Sequence, residues 1–197
     1  MKNKNYFTLT VICLSLFTSV RSQTIIKKET AIKFQSSLQS GSLFGQSGSK
    51  PALTISTING VKIKQWFTGV GVGIDYYGAK RSIPLFAAVQ KDLSSKVNTF
   101  FLYGNSGYNF AWLKDEEKIK NVAYYKQMGG LFYEAGIGYK IKISRNNYFG
   151  LSAGYSFKQT KEQYIERCWF CETYVPPLQT NNYKFRTVAV KINWWFL

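Results

Sequence analysis

The stretch Thr187-Val188-Ala189-Val190-Lys191-Ile192-Asn193-Trp194-Trp195-Phe196-Leu197 decides the fold. Taken in twos, Val188, Val190, Ile192, Trp194 and Phe196 share one face, and Thr187, Ala189, Lys191, Asn193 and Trp195 share the other. Successive side chains of an extended strand point to opposite faces. One side of this segment is therefore apolar, the other mostly polar, and its end is aromatic. That pattern is the signature of a membrane-spanning β-strand with its apolar face outward.

The same alternation recurs upstream. Leu131, Tyr133, Ala135, Ile137, Tyr139 and Ile141 oppose Phe132, Glu134, Gly136, Gly138, Lys140 and Lys142. Phe149, Leu151, Ala153, Tyr155 and Phe157 oppose Gly150, Ser152, Gly154, Ser156 and Lys158, after the polar turn Ser144-Arg145-Asn146-Asn147. Trp66, Thr68, Val70, Val72, Ile74 and Tyr76 oppose Phe67, Gly69, Gly71, Gly73 and Asp75. Glycine weakens a strand unless a bend or a crowded approach requires it. Inward glycines would relieve the curvature and narrow bore of a small barrel.

Eight strands are expected near 34–46, 52–61, 65–77, 83–91, 97–112, 127–143, 147–162 and 182–197. In the first, neither face is clean. In the fifth, Phe100-Phe101-Leu102-Tyr103 fits either register. Connections near 59–64, 91–96 and 144–147 are short. They alternate with mostly longer ones near 46–51, 77–82, 113–126 and 162–182. Short periplasmic turns and longer outer loops are characteristic of outer-membrane barrels. An even strand count returns both termini to the short-turn side, which makes them periplasmic.

Residues 1–22 read as a signal peptide. Lys2 and Lys4 supply the positive start, and Tyr6 to Phe17 is an apolar run too short to span a bilayer as a helix. Small residues precede Gln23. Ile12 ahead of Cys13 argues against a lipoprotein signal. The expected organisation is a leader over 1–22, a periplasmic lead over 23–33 and an outer-membrane barrel over 34–197. Phe, Trp and Tyr make up 17% of the chain, which suits aromatic girdles.

The chain carries 26 basic and 10 acidic residues, a net charge of +16. Removing Lys2, Lys4 and Arg21 leaves +13. Such charge invites a nucleic-acid reading, but no recognition motif accompanies it and the leader points away from the cytoplasm. Lys62, Lys64, Lys91, Lys96, Lys140, Lys142 and Arg145 instead gather at one set of turns. There they are placed to reach phospholipid headgroups or simply to solubilise the surface.

An eight-stranded barrel has interior room for side chains and little else. The inward set is expected to include Asp75, Glu134, Lys140, Lys142, Lys158, Glu162 and Lys191. With both signs present, a lumen network of ion pairs is favoured over a proton or ion path.

The absence of histidine removes the usual general base for a serine or cysteine nucleophile. Carboxylate-only chemistry would fall to Glu162 and Glu166, or to Asp115, Glu116 and Glu117. No phosphate loop, metal quartet or EF-hand spacing is present, and no cofactor is expected.

Cys168-Trp169-Phe170-Cys171 is the one chemical motif. Its context lacks the strand-to-helix setting of a redox dithiol and the further ligands of a zinc site. In an oxidising compartment, a Cys168–Cys171 disulfide is favoured. It would hold Trp169 and Phe170 at a loop tip, as a contact surface for a partner or as a headgroup anchor.

The Gly69-x-Gly71-x-Gly73 strand, the Ile83-Pro84-Leu85-Phe86 entry, the Gly104-Asn105-Ser106-Gly107-Tyr108 stretch and the aromatic last strand resemble the small outer-membrane β-barrel proteins of Gram-negative bacteria. In size the chain is similar to the OmpA/OmpX-type eight-stranded barrels. Barrels of that family end on an aromatic assembly signal; here Phe196 is penultimate and Leu197 last. The resemblance implies an all-β, eight-stranded antiparallel up-and-down transmembrane barrel, and it specifies architecture, not activity. Beside it, the favoured reading is a non-enzymatic integral outer-membrane protein that supports the envelope or presents the loops 113–126 and 162–182 to a partner or ligand. Its surroundings would be outer-membrane lipid and lipopolysaccharide, it would be inserted by the barrel-assembly machinery, and its loops would be free for a protein partner or ligand. Two alternatives compete. One is a secreted, lipocalin-like soluble barrel holding an apolar ligand inside. The other is an outer-membrane enzyme using carboxylates alone. The direction of the apolar face separates the first of these from the membrane reading.

Overall fold

A computed structural model describes residues 32–45, 51–77, 80–112, 122–166 and 177–196. They form nine strands: β1 (Lys33–Gly45), β2 (Ala52–Ile63), β3 (Trp66–Tyr77), β4 (Lys80–Asp92), β5 (Thr99–Trp112), β6 (Val122–Met128), β7 (Gly130–Lys142), β8 (Asn147–Glu166) and β9 (Gln179–Phe196). All pairings are antiparallel, and β9 pairs with both β8 and β1, so the sheet closes. Closure leaves no edge along the wall, which is how a small β protein avoids edge-to-edge association. β6 and β7 are the two halves of one broken strand. β7 lies between β5 and β8, whereas β6 pairs with β8 alone. The wall therefore has eight staves in up-and-down order, the all-β barrel the alternation implies. The leader and lead segments, residues 1–31, lie outside the described residues, as does Leu197.

The register fixes the shape. Opposite partners run from Gln35 to Gly60, Gly69, Ala88, Asn105, Glu134, Ser156 and Thr187, then return to β1 at Gly45. One circuit thus climbs ten residues along β1. That stagger belongs with strands tilted roughly 35–45° to the barrel axis.

The turns explain the pairing. Lys64 and Gln65 close a two-residue hairpin between Ile63 and Trp66, and Lys64 takes the positive φ (55°) that tight hairpin turns need. The connection 143–146 is closed by backbone bonds to the Asn147 carbonyl. These turns, residues 93–98, the start of β1 and the end of β9 all lie at one end of the barrel.

Two ambiguous strands are settled. β1 turns Gln35, Ser37, Gln39 and Leu43 inward, with Phe34, Leu38 and Phe44 outward. β5 turns Phe101, Asn105 and Asn109 inward, with Phe100, Leu102, Tyr108 and Phe110 outward. Several expected boundaries move. β4 runs through Asp92, β8 runs to Glu166, β9 starts at Gln179, and β6 occupies part of the expected 113–126 loop. Gly129 sits at the break: a Cβ there would lie 2.1 Å from the Asn109 carbonyl oxygen. Only glycine lets the chain pass so close to Asn109 as it comes off the β6–β8 pairing and enters β7 between β5 and β8.

Candidate functional site: the lumen and its mouth

The apolar face points out. Leu131, Tyr133, Ile137 and Tyr139 are 40–50% exposed, while Phe132, Glu134 and Lys140 opposite them are buried. At the tilt of the strands, the register brings Phe34, Trp66, Phe100, Tyr139, Trp194 and Phe196 to one level near the short-turn end. It brings Phe44, Tyr76, Tyr108, Phe110, Tyr133 and Phe157 to a second level. Between them lie aliphatic residues such as Leu38, Val70, Val89, Ile137, Leu151 and Ile192. Six to ten tilted residues per strand separate the two belts, from Tyr133–Tyr139 to Phe34–Phe44, so the band they bound approaches the roughly 25 Å apolar height of a membrane barrel at its widest. Neighbouring rings pack within the belts, as in Phe100–Tyr139 and Tyr133–Phe157 at 4.8 Å. Lys91 lies 4.9 Å over Trp66 and Arg81 lies 5.1 Å over Tyr76, cations at the belts' outer margins.

The lumen alternates polar and aromatic layers. Nearest the short turns, Asp92 Oδ2 accepts from Lys62 Nζ (2.8 Å) and Lys140 Nζ (2.5 Å), and Gln90 Nε2 donates to its other oxygen at 3.1 Å. Above this, Phe101 meets Trp195 edge-on at 5.3 Å. Next, Lys191 Nζ pairs with Glu134 Oε1 at 2.5 Å, while Asn193 donates to Ser152 at 2.8 Å. Phe86 and Phe132 form a second edge-on pair at 5.3 Å, packed with Ile58, Phe67 and Ala88. Toward the other end Lys158 pairs with Asp75, which also accepts from Ser82.

Glycines make this filling fit. A Cβ at Gly71 would meet the Phe86 ring at 2.5 Å, one at Gly138 the Phe101 ring at 2.3 Å, and one at Gly154 the Tyr103 hydroxyl at 2.5 Å. In each of these three cases the side chain occupies space that a glycine on another stave gives up.

Of the residues expected in the lumen, Asp75, Glu134, Lys140, Lys158 and Lys191 are buried in these pairs. Glu162 is also buried but sits higher, on the part of β8 that pairs with β6 and β9. Lys142 does not join them. As the last residue of β7, paired with Tyr148, it is exposed at the rim of the wall, where its backbone N–H donates to Asn98 Oδ1. Lys62, grouped with the headgroup lysines by position, instead points inward to Asp92, the carboxylate that Lys140 also holds. Asp92 itself was overlooked because its strand was ended one residue early. Continuing the parity of Ser82, Phe86, Ala88 and Gln90 reaches it directly. Cys168, Trp169, Phe170 and Cys171, and Asp115 to Glu117, lie outside the described residues.

At the short-turn end the lumen opens into a basin of about 270 Å³. It is lined by Lys62, Asp92 and Lys140 from the wall and by Lys64, Ser95 and Lys96 from the turns, with Tyr148 beside them. Among the described residues no cluster of His, Cys, Asp and Glu could hold a metal ion, and no helix is long and apolar enough to cross a membrane.

The architecture is that of a small outer-membrane-type barrel, closed and filled. Comparison with solved structures found several likenesses. The chain is similar to outer membrane protein OprG from Pseudomonas aeruginosa, with a TM-score of 0.54 at 10% identity over 83% of this chain and 95% of that one. Neisserial surface protein A aligns with a TM-score of 0.47 at 13% identity over 84% and 98%. At such identity the OprG likeness concerns the fold alone. No protein-family model matches the sequence, and no curated protein matches it.

Proposed function

We propose that this chain is a non-enzymatic integral protein of the outer membrane. Its barrel would be seated in lipid and lipopolysaccharide after insertion by the barrel-assembly machinery, with both termini periplasmic. It would support the envelope or present its outer end, where β6, β8 and β9 extend, to a partner or ligand. The observation that carries this reading is the outward apolar band between two aromatic belts. In water such a surface would far exceed the few hundred Å² of apolar patch that soluble monomers expose. A lipocalin-like binder needs the reverse, an apolar cavity within a polar exterior. The inside of this barrel is occupied by ion pairs and rings.

The carboxylates speak for a structural interior. Asp75, Asp92 and Glu134 are each held by at least one lysine and are not poised as a reactive pair. Glu162 and Glu166 are four residues apart along one strand, roughly 13 Å at about 3.3 Å per residue, too far to share a proton or flank one bond.

Fractionation of expressing cells, with gel mobility before and after boiling, tests the proposal. The expected outcome is recovery in the outer-membrane fraction and a mobility shift on boiling. A detergent-free soluble periplasmic protein with no shift would overturn it.

A further inference from the structure

The basin at the short-turn mouth has a composition that packing does not explain. Four lysines, Lys62, Lys64, Lys96 and Lys140, line it against one carboxylate, Asp92. Both oxygens of that carboxylate are already engaged: Lys62 and Lys140 donate to Oδ2 of Asp92 and Gln90 donates to Oδ1. Lys64 and Lys96 have no carboxylate partner among the described residues. The two serines add donors. Ser95 Oγ accepts from Gln65 Nε2 at 2.9 Å, and Ser94 Oγ accepts from the Lys96 backbone N–H at 3.2 Å. Each hydroxyl proton is thereby left to donate elsewhere. The mouth is thus rich in donors, positive in excess and short of acceptors.

We propose that this basin binds a small oxyanion of the phosphate type, free or as a phosphomonoester or headgroup phosphate. Lysine serves as a point-charge partner for phosphate, and a tetrahedral dianion can engage ammonium and hydroxyl donors from several directions at once. The volume suits such a group and falls below the roughly 300–1,000 Å³ of sites for drug-sized ligands. The floor is fixed: Lys140 is held by Asp92 and lies 5.5 Å over Tyr148 and 5.9 Å over Trp195. The rim is built from two turns, so Lys64 and Lys96 are free to close on the anion. A cation is disfavoured by the same charge balance. The site requires only the folded barrel, so it stands or falls separately from membrane seating, which fractionation tests.

The experiment uses the full mature chain folded in uncharged detergent micelles and followed by amide NMR during titration with inorganic phosphate and with pyrophosphate. Saturable shifts confined to Gln65 and residues 94–97 are expected. In a K64Q/K96Q variant, which alters only turn side chains, the affinity should fall about tenfold or more, the worth of one or two charge-assisted hydrogen bonds. A second arm places the protein in nanodiscs with and without phosphatidylglycerol. Saturation by free phosphate assigns a soluble ligand, and shifts seen only with phosphatidylglycerol assign a headgroup; both support the site. Shifts that sodium chloride reproduces at equal ionic strength, or an affinity unchanged in K64Q/K96Q, would overturn it.

Discussion

β8 and β9 each pass through two environments, and the same face of the same strand changes character between them. On β9, Phe196, Trp194, Ile192, Val190 and Val188 face outward along the closed wall. The next outward residues are Arg186, Lys184, Asn182 and Thr180, beyond the last β1 pair at Thr187. On β8, Leu151, Ala153, Tyr155 and Phe157 give way to Gln159, Lys161 and Gln163 at the same height. The wall also holds the glycines: Gly136, Gly138, Gly150 and Gly154 lie within it, whereas 159–166 and 179–186 have none. A closed, narrow tube needs inward space and an apolar outside. A three-stranded ribbon of β6, β8 and β9 in water needs neither. Geometry and solvent change together at one level, which is where the membrane reading puts the outer interface.

The largest effect should come from removing one partner of a wall ion pair. Lys158 and Asp75 are almost wholly buried. Lys158→Met strands a carboxylate at the top of the wall and should cost about 3–5 kcal/mol. The double variant with Asp75→Asn should recover much of that loss, because a neutral amide tolerates burial better than a bare charge. Lys184→Met, on an exposed ribbon position, should stay within about 0.5 kcal/mol. Reversible urea unfolding in phospholipid vesicles measures all three. Equal losses at Lys158 and Lys184 would erase the distinction between the two regions.

Next in size is charge on the outer face. Val190→Arg lies between the aromatic belts and should destabilise by about 2–4 kcal/mol, the cost of a guanidinium near the bilayer midplane. The same surface already carries Arg186 four residues away, so Thr180→Arg on the ribbon should be close to neutral. An unpenalised arginine at 190 would mean that this face is not solvated by acyl chains.

How much of this was legible follows from the period of two. Val188 to Phe196, Leu131 to Ile141 and Phe149 to Phe157 announce their facing by strict alternation. Glu134, Lys158 and Lys191 then fall inside by parity alone. β1 was opaque because its outward face mixes Phe34 and Leu38 with Ser36, Ser40 and Ser42, and small residues fit either environment. β5 was opaque because four consecutive bulky residues fill both faces. β6 was missed for a different reason. Its residues pair on one side only, above the band where lipid imposes a pattern, and Tyr124-Tyr125-Lys126-Gln127 has no apolar period to read. Lys142 was misplaced because parity says which way a side chain points but not where the wall stops. The Asp92 pairing with Lys62 and Lys140 joins three strands far apart in sequence. Only the closed register of the barrel brings them together.

The smallest effect tests whether the wall glycines are spacers for lumen aromatics. At Gly138 a new Cβ would lie 2.3 Å from the Phe101 ring and 2.6 Å from the Leu151 carbonyl oxygen. The ring is itself wedged against Trp195, so it has little room to yield. Gly138→Ala should therefore cost about 1–3 kcal/mol, the usual penalty for overpacking. Gly104, on the outward face of β5, has no neighbouring atom within 4 Å of the position a Cβ would take. Gly104→Ala should be neutral or gain about 0.5–1 kcal/mol, because alanine loses less backbone freedom on folding. Coupling gives the sharper test. Phe101→Leu shortens the ring that opposes Gly138, so in that background the Gly138→Ala penalty should shrink. If it does not, the backbone contact with Leu151 rather than the aromatic layer sets the need for glycine.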